Sequence, residues 1–321
     1  MKLFPKSIYI LFLMSVLIPS CDRNKKNITR FDTVSSGNTM IVCDESFAPI
    51  IQEEIAVFTG LNRAAYITPV YTSEKDVFKL LLSDSIRLAI AARDISEKES
   101  DYLKGLKLIP RSQRIALDGI ALIINRENPD SLISLSDLKK IMTGNIKCWN
   151  EIQSSKITKS NRITVVFDNK SSSNLRFIQD SICGKIGVSS DIYAASSSKD
   201  VLNFVAKNPY ALGIIGVNWI SNPNDSTKLS FDNSIRVMSV SRSLHPTIEN
   251  SFKPFPAFIA TGDYPLTRDV YVILTDLRGS LSAGFVSFIA GDSGQRIILK
   301  AGLVPATRPT RLINLKNDFE Y

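Results

Sequence analysis

Polar turns that open predicted helices hold the residues whose types best suit ligand chemistry. The stretch "NKSSSN" places Ser171, Ser172, Ser173 and Asn174 between an apolar strand-like run and an amphipathic helix. Hydroxyl groups and unpaired backbone N–H groups at a helix start form a ready site for an anion. We therefore predict an anion site in this turn, and simple capping of the helix is the alternative.

Three earlier turns have the same character, because each follows a strand-like run and opens a helical one. These turns are "DESFAP", "TSEKD" and "ARDISEKE", and their candidate residues are Ser46, Thr72, Ser73, Arg93, Asp94 and Ser96. In open α/β sheets, ligands lie outside the carboxyl ends of the strands. Four such turns at corresponding ends of the sheet favour ligand binding over capping alone.

Catalytic and metal-binding motifs find little support in the sequence. His245 is the only histidine, and it precedes a proline in a predicted loop. The sequence has no HExxH, GxSxG, P-loop or GxGxxG motif, and no CxxC pair. We predict a binding protein that uses no cofactor and no metal and is not an enzyme.

Strand-like and helix-like segments alternate along the chain from residue 39. Apolar runs such as "TMIVC", "IRLAIAA" and "ALGIIGV" are separated by amphipathic stretches such as "SEKDVFKLLLSD". This alternation is typical of mixed, mainly parallel sheets flanked by helices. We predict an α/β protein of two lobes with a ligand cleft between them. Lobe 1 comprises residues 39–117 and 250–321, and lobe 2 comprises residues 118–249.

The N-terminal segment indicates export. Residues 1–20 combine two lysines with a short apolar run, which is typical of a secretory signal peptide. Residues 17–21, "LIPSC", resemble the lipobox of bacterial lipoproteins, in which the signal is removed before a cysteine that receives lipid. We expect a lipid anchor on Cys21 and a flexible tether over residues 21–38, on the extracytoplasmic side of a bacterial envelope. An ordinary cleaved signal is the alternative.

The charge and the cysteines add two further expectations. The formal net charge of +8 is compatible with an anionic ligand. Nucleic acid is not expected as a partner, because no basic run with interleaved aromatic residues occurs.

Three cysteines follow Cys21, and Cys148 and Cys183 are the preferred disulfide pair because both lie near the ends of predicted helices in one half of the chain. Three buried thiols are the alternative.

Longer stretches resemble the PstS-like phosphate-binding proteins of ABC transporters, within the periplasmic binding protein group. The matching stretches are "DGIALIINRENPDSLISLSDLKKIMTGNIKCWNEI", "YALGIIGVNWI", "YPLTRDVYVIL" and "FVSFIAGDSGQRIILKAGLVPAT". Their order is that of the family from about Thr39 to Thr307. The resemblance implies a two-lobed type II fold and a monomer. It also implies that the protein binds inorganic phosphate or a similar oxyanion and delivers it to an ABC transporter permease.

The resemblance also implies roles for residues in the first three turns. Ser46 and Phe47 match a Thr-Phe pair whose hydroxyl and backbone N–H groups hold the anion. Thr72 or Ser73 falls where a serine contact is expected. Arg93 occupies a position that is Asp in some members and Arg in others, and the carboxylate that follows it is the candidate acceptor for a proton of the anion.

The family's Ser-Gly-Thr-Arg anion loop falls on "SSSNLR". This match implies that Ser172, Ser173 and Asn174 contact the anion and that Arg176 is its charge partner. Four departures weaken the match to phosphate. Ser173 replaces a glycine, Asn174 replaces a threonine, and Leu175 moves the arginine one residue further on. Upstream of the loop, Asp168 replaces a basic residue. One alternative is therefore an envelope lipoprotein of the same fold that does not transport and acts as a sensor or adhesion component. A hydrolase on a similar fold is a third hypothesis.

Overall fold

The computed structural model describes residues 32–222 and 230–307. The predicted signal peptide and Cys21 lie outside these residues. Within the described part of the chain, no helix is long and apolar enough to cross a membrane. Cys43, Cys148 and Cys183 are free thiols, so the predicted Cys148–Cys183 disulfide is wrong. The physical reason is that Cys183 is buried in an apolar core, whereas the sulfur of Cys148 accepts a hydrogen bond from Ser160 Oγ at 3.4 Å.

Strands and helices alternate over most of the described chain. The strands are β1 (Gly37–Asp44), β2 (Ala65–Thr72), β3 (Leu88–Ala91), β4 (Arg111–Asn125), β5 (Leu132–Ser134), β6 (Thr164–Phe167), β7 (Tyr193–Ala194), β8 (Ala211–Gly216), β9 (Ile235–Val237), β10 (Ser239–Ser241), β11 (Ser251–Phe252), β12 (Thr267–Leu274) and β13 (Val304–Pro305). The α-helices are α1 (Ala48–Leu61), α2 (Glu74–Leu82), α3 (Glu97–Gly105), α4 (Leu135–Met142), α5 (Ser173–Ile178), α6 (Ser198–Lys207), α7 (Pro256–Thr261), α8 (Leu281–Ala290) and α9 (Asp292–Lys300). The predicted α/β class is confirmed.

The main sheet has the strand order β2-β1-β3-β12-β4-β8-β6-β7, and β9 and β13 also pair with β4. Strands β2, β1, β3 and β12 are called the first sheet half, and β8, β6 and β7 the second. Strand β4 joins them, because residues 111–119 pair with β12 and residues 120–124 pair with β8. Strands β1, β2 and β3 pair in parallel, as do β6, β7 and β8. Strand β12 is antiparallel to both β3 and β4, and β4 is antiparallel to β8. The small sheet β11-β10-β5 is separate.

The directions of the strands bring the two sets of carboxyl ends to one place. Strand β1 runs in the same direction as β4, whereas β6 runs in the opposite direction. The carboxyl ends of β1 and β6 therefore both point toward the middle of β4, near Gly119. Ligands in open α/β sheets lie beyond such ends, so the topology places the predicted turns of β1 and β6 opposite each other.

Apolar packing fixes this arrangement. Residues Ile120–Ile124 of β4 form an unbroken apolar run that is fully buried, as expected for a strand covered on both faces. One buried apolar cluster includes Phe47, Phe58 and Phe285, and a second lies around Trp149 and Tyr264. Because β4 contributes residues to both clusters, the two sheet halves share this strand.

The ordered fold begins earlier than the predicted boundary at residue 39. Gly37 already pairs with Ala65 in the β1–β2 ladder. Asp32 Oδ1 accepts a hydrogen bond from the backbone N–H of Leu281 at 2.6 Å, at the start of α8. A methyl group on Gly284 would lie 1.8 Å from the carbonyl oxygen of Val34. Residues 32–38 are therefore packed against α8 and are not part of a flexible tether, which corrects the prediction for them.

Candidate functional site

A group of polar side chains is buried where the two sheet halves meet on β4. None of its members is more than 5% exposed. Burying polar groups costs free energy unless they find partners, so this group requires an explanation that stability alone does not give. We call it the buried polar cluster, and its members are Asp44, Ser46, Asp118, Asp168, Ser173, Asn174 and Arg268.

The two predicted serine turns meet in this cluster. The Oγ atoms of Ser46 and Ser173 lie 3.2 Å apart, across the two sheet halves. Asp44 Oδ1 accepts from the backbone N–H of Ser46 at 3.0 Å, so Asp44 and not Ser46 caps this turn. The Ser46 carbonyl accepts from the side chains of Asn218 and Trp219 at 2.9 and 3.1 Å. The Ser46 hydroxyl is thus held in position and is free of the capping role.

Arg268 of β12 lies at the centre of the cluster. Its Nε donates to Asp118 Oδ2 at 3.0 Å, and its Nη1 donates to Ser173 Oγ at 2.7 Å. The guanidinium carbon lies 5.0 Å from the centroid of the Phe47 ring, within range of a cation–π contact. Its Nη2 is buried and has no acceptor among the described residues. Arg268 was not among the residues predicted from the sequence, although an arginine within the apolar run "YPLTRDVYVIL" was an available signal.

Burial raises the pKa of the carboxyl groups in the cluster and so disfavours their ionised form. Burial raises the pKa of Asp44 to about 6, and the nearby Arg268 charge opposes this shift. Burial likewise raises the pKa of Asp168 to about 6. Burial also raises the pKa of Asp118, against the opposing effect of Arg268. Asp168 Oδ1 and Asn174 Oδ1 are buried acceptors with no donor among the described residues.

The serines of the "NKSSSN" turn, after β6, have different roles. Ser172 Oγ accepts from the backbone N–H of Leu175 at 3.1 Å, so Ser172 caps α5. Ser173 directs its hydroxyl into the cluster, and Asn174 Nδ2 donates to Asp168 Oδ2 at 3.3 Å. Ser171, the first serine of the turn, has an exposed side chain. Within this turn, Ser172 is thus the helix cap, and Ser173 and Asn174 are the residues that reach the buried polar cluster.

Both arginines singled out from the sequence already have carboxylate partners. Arg176 makes two hydrogen bonds to Glu74 and lies 3.5 Å from Asp180. Arg93 pairs with Glu99 at 2.7 Å, and its guanidinium carbon stacks 3.3 Å from the Phe78 ring centroid. Neither arginine belongs to the buried polar cluster.

The remaining candidates lie at the periphery. Ser73 caps α2, accepting from the backbone N–H of Asp76 at 3.3 Å, and Asp94 is exposed. Thr72 ends β2 and is half-buried. The structure therefore unites Ser46, Phe47, Ser173 and Asn174 near Arg268, and leaves Thr72, Ser73 and Asp94 outside that group.

A cavity of about 380 Å³ opens between the sheet halves, outside the buried cluster. We call it the mouth cavity. Its lining includes Lys75, Phe78 and Arg93 from the first half, and Lys170, Ser171, Ser172, Leu175 and Arg176 from the second. Ser172 connects the two regions, because it lines the mouth cavity and precedes Ser173 of the cluster. Among the described residues, no group of three or more His, Cys, Asp or Glu side chains could hold a metal ion.

Two sheet halves that converge on a buried polar cluster are the arrangement expected of a protein that captures a ligand between them. The family model described as a PBP superfamily domain matches residues 32–293, so the chain belongs to that family. The periplasmic-binding-protein fold class expected from the sequence is thereby confirmed. The exact division into lobes stays a prediction.

Among curated relatives, the chain is 23% identical over 255 residues to the phosphate-binding protein PstS of Staphylococcus epidermidis strain RP62A, covering 77% of this chain and 73% of the relative. It is also 23% identical over 269 residues to the phosphate-binding protein PstS of Staphylococcus aureus strain USA300, covering 82% of this chain and 76% of the relative. The predicted resemblance to PstS-like proteins is confirmed.

Solved structures show the same fold. A Clostridium perfringens protein assigned to the phosphate ABC transporter substrate-binding proteins, solved with bound phosphate, matches with a TM-score of 0.70 and 21% identity, covering 84% of this chain and 100% of that one. An ABC-type phosphate transport receptor from Vibrio cholerae matches with a TM-score of 0.62 and 19% identity, again covering 84% and 100%.

Proposed function

We propose that this protein captures inorganic phosphate, or a similar oxyanion, in the buried polar cluster and delivers it to an ABC transporter permease. One observation carries the proposal: the hydroxyls of Ser46 and Ser173 meet across the sheet halves beside a buried guanidinium whose Nη2 has no acceptor among the described residues. Hydrogen bonds from a charged donor to an oxyanion are strong in such a buried place. The similarity to the phosphate-binding protein PstS of two Staphylococcus species supports the same ligand.

The carboxyl groups determine which anion can enter. Three buried aspartates surround a single guanidinium, so the ionised cluster repels a fully deprotonated dianion. Protonation removes this repulsion, either on Asp44 and Asp168, whose pKa values burial raises to about 6, or on the anion itself. Asp168 Oδ1 can accept the proton of a protonated anion, because it has no other donor among the described residues. This argument favours phosphate over sulfate, which carries no proton at neutral pH.

The sign of the pH dependence follows from the raised pKa values. As the pH rises through about 6, Asp44 and Asp168 lose their protons and negative charge accumulates around the site. Phosphate affinity should therefore fall as the pH rises from about 5.5 to 8. Above about pH 6, the affinity should fall roughly tenfold per pH unit for each proton that binding must take up.

Isothermal titration of wild type and Asp168→Asn with phosphate and sulfate, at several pH values in this range, tests the proposal. We expect Asp168→Asn to flatten the pH profile and to admit sulfate. Asp191→Asn, which changes an exposed partner of Arg162, is the matched control and should behave as wild type. The assigned role of Asp168 would be contradicted if phosphate affinity did not depend on pH and if wild type and Asp168→Asn excluded sulfate equally.

We further propose that the protein acts as a monomer, does not catalyse a reaction, and is held to the membrane by lipid on Cys21. The membership of a binding-protein family supports the first two points, and the "LIPSC" sequence supports the third. Release of a Cys21→Ser variant from the membrane fraction, with wild type retained, is the expected result. Equal retention of both proteins would refute the anchor.

One observation favours a second candidate function. Arg93 and Arg176, the two arginines that line the mouth cavity, are already paired with Glu99 and Glu74 and so offer less charge to an anion. This pairing favours the alternative of an envelope protein of the same fold that acts as a sensor or adhesion component. Absence of binding to phosphate, arsenate, molybdate and sulfate at every pH would favour that alternative.

A further inference from the structure

The mouth cavity is larger than the proposed ligand requires. Its volume of about 380 Å³ lies in the range of about 300–1,000 Å³ that is typical of sites for small organic molecules. A tetrahedral oxyanion has five heavy atoms and would occupy only a small part of it. Ser172 lines the cavity, and the next residue along the chain, Ser173, belongs to the buried polar cluster.

Two lysines of this cavity have no carboxylate partner among the described residues, and the other acid in its lining, Asp180, lies 3.5 Å from Arg176. The positive charges of Arg176 and Arg93 are balanced by Glu74 and Glu99, respectively. Lys75 and Lys170 line the cavity and are exposed. Neither lysine makes an ion pair within residues 32–222 and 230–307.

The placement of these two lysines is specific. Lys75 lies in the first turn of α2 in the first sheet half, and Lys170 lies in the turn after β6 in the second. An anionic group in the cavity would therefore meet one free ammonium group from each half. Such a bridge between the halves would add charge-assisted hydrogen bonds to those of the cluster.

We propose that the mouth cavity binds a second anionic group of the same ligand, so that the preferred ligand is a phosphate compound with two adjacent anionic groups, such as a diphosphate. This inference rests on the proposed function, because one phosphoryl group must enter the buried polar cluster. The other phosphoryl group then lies between Lys75 and Lys170. The cavity volume and the two unpaired lysines are the observations that carry it.

Isothermal titration at constant pH and ionic strength, with inorganic phosphate, inorganic pyrophosphate and glycerol 3-phosphate as probes, tests this inference. Wild type should bind pyrophosphate at least about tenfold more tightly than phosphate, a difference of about 1.4 kcal/mol. The double variant Lys75→Gln/Lys170→Gln should lose that advantage and bind phosphate within about twofold of wild type. The double variant Lys79→Gln/Lys199→Gln, which changes two exposed lysines that do not line the cavity, is the matched control.

Each outcome separates this inference from the proposed function. Equal affinity for pyrophosphate and phosphate would overturn the second anionic subsite and leave phosphate capture intact. Loss of both affinities to the same extent in the Lys75/Lys170 variant would also overturn it, because the lysines would then act only through the general field. Tighter binding of glycerol 3-phosphate than of pyrophosphate would assign the cavity to an uncharged group instead. If phosphate does not bind but pyrophosphate binds through these lysines, the inference stands and the proposed phosphate ligand fails.

Discussion

Replacement of Arg268 by Met removes the cation at the centre of the buried polar cluster. The side chains of Arg268 and Asp118 are 3% and 0% exposed, and Nε lies 3.0 Å from Asp118 Oδ2. Removing one partner of a buried ion pair leaves the other charge without compensation, which costs about 3–5 kcal/mol. We therefore expect Arg268→Met to lower the free energy of unfolding by about this amount at pH 8.

The loss should depend on pH in a defined direction. Burial already raises the pKa of Asp118, and Arg268 opposes that shift. Without Arg268 the pKa of Asp118 rises further, so the carboxyl is neutral in the folded protein at low pH and must be buried as a charge at high pH. The destabilisation should accordingly be smaller at pH 5 than at pH 8.

The same two strands provide a matched control. Arg114 of β4 pairs with Asp269 of β12 at 3.1 Å, but these side chains are 51% and 37% exposed. Exposed pairs contribute about 0–1 kcal/mol, so Arg114→Met should have a small effect. Urea unfolding followed by tryptophan fluorescence measures both variants. Equal losses in Arg268→Met and Arg114→Met would refute the reasoning, as would failure of Asp118→Asn to restore part of the stability of Arg268→Met.

Two further predictions concern regions away from the cluster. Burial raises the pKa of the fully buried Glu54 to about 8 from 4.5, so the folded state favours the neutral acid and stability falls as the pH rises between these values. Glu54→Gln should remove most of that fall in urea unfolding at pH 5 and 8, and the exposed Glu53→Gln should retain it; parallel pH profiles would contradict the assignment. Gly284→Ala should lower the melting temperature by several degrees, because its methyl group would collide with the Val34 carbonyl. Gly279→Ala, with no atom within 4 Å of the added methyl group, should not, and equal melting temperatures would contradict the packing of residues 32–38.

Local pattern in the sequence was sufficient for the α/β class and for part of the site. Strand-like runs followed by hydroxyl-rich turns placed Ser46 and Ser173 at the carboxyl ends of β1 and β6, and the structure brings their hydroxyls together. Periodicity alone indicates such turns, because each is built from neighbouring residues. The resemblance to a known family then indicated that the turns face each other.

The rest of the cluster depends on contacts between distant parts of the chain. Arg268 and Asp118 are 150 positions apart and meet only because β12 and β4 are adjacent strands. No local pattern specifies that pairing. The predicted disulfide failed for a related reason, since proximity to helix ends says nothing of the distance between Cys148 and Cys183 in the fold. The pairing of Arg176 with Glu74, 102 positions away, likewise could not be predicted from single turns.

Titration of the purified protein with phosphate, in wild type and in the double variant Ser46→Ala/Ser173→Ala, tests the central claim most directly. These hydroxyls come from different sheet halves and meet at 3.2 Å in the buried polar cluster. If the cluster is the anion site, wild type binds phosphate near pH 6 and the double variant binds it at least about tenfold more weakly. Undiminished binding by the double variant would place the anion elsewhere, and absence of binding by wild type would contradict phosphate capture itself.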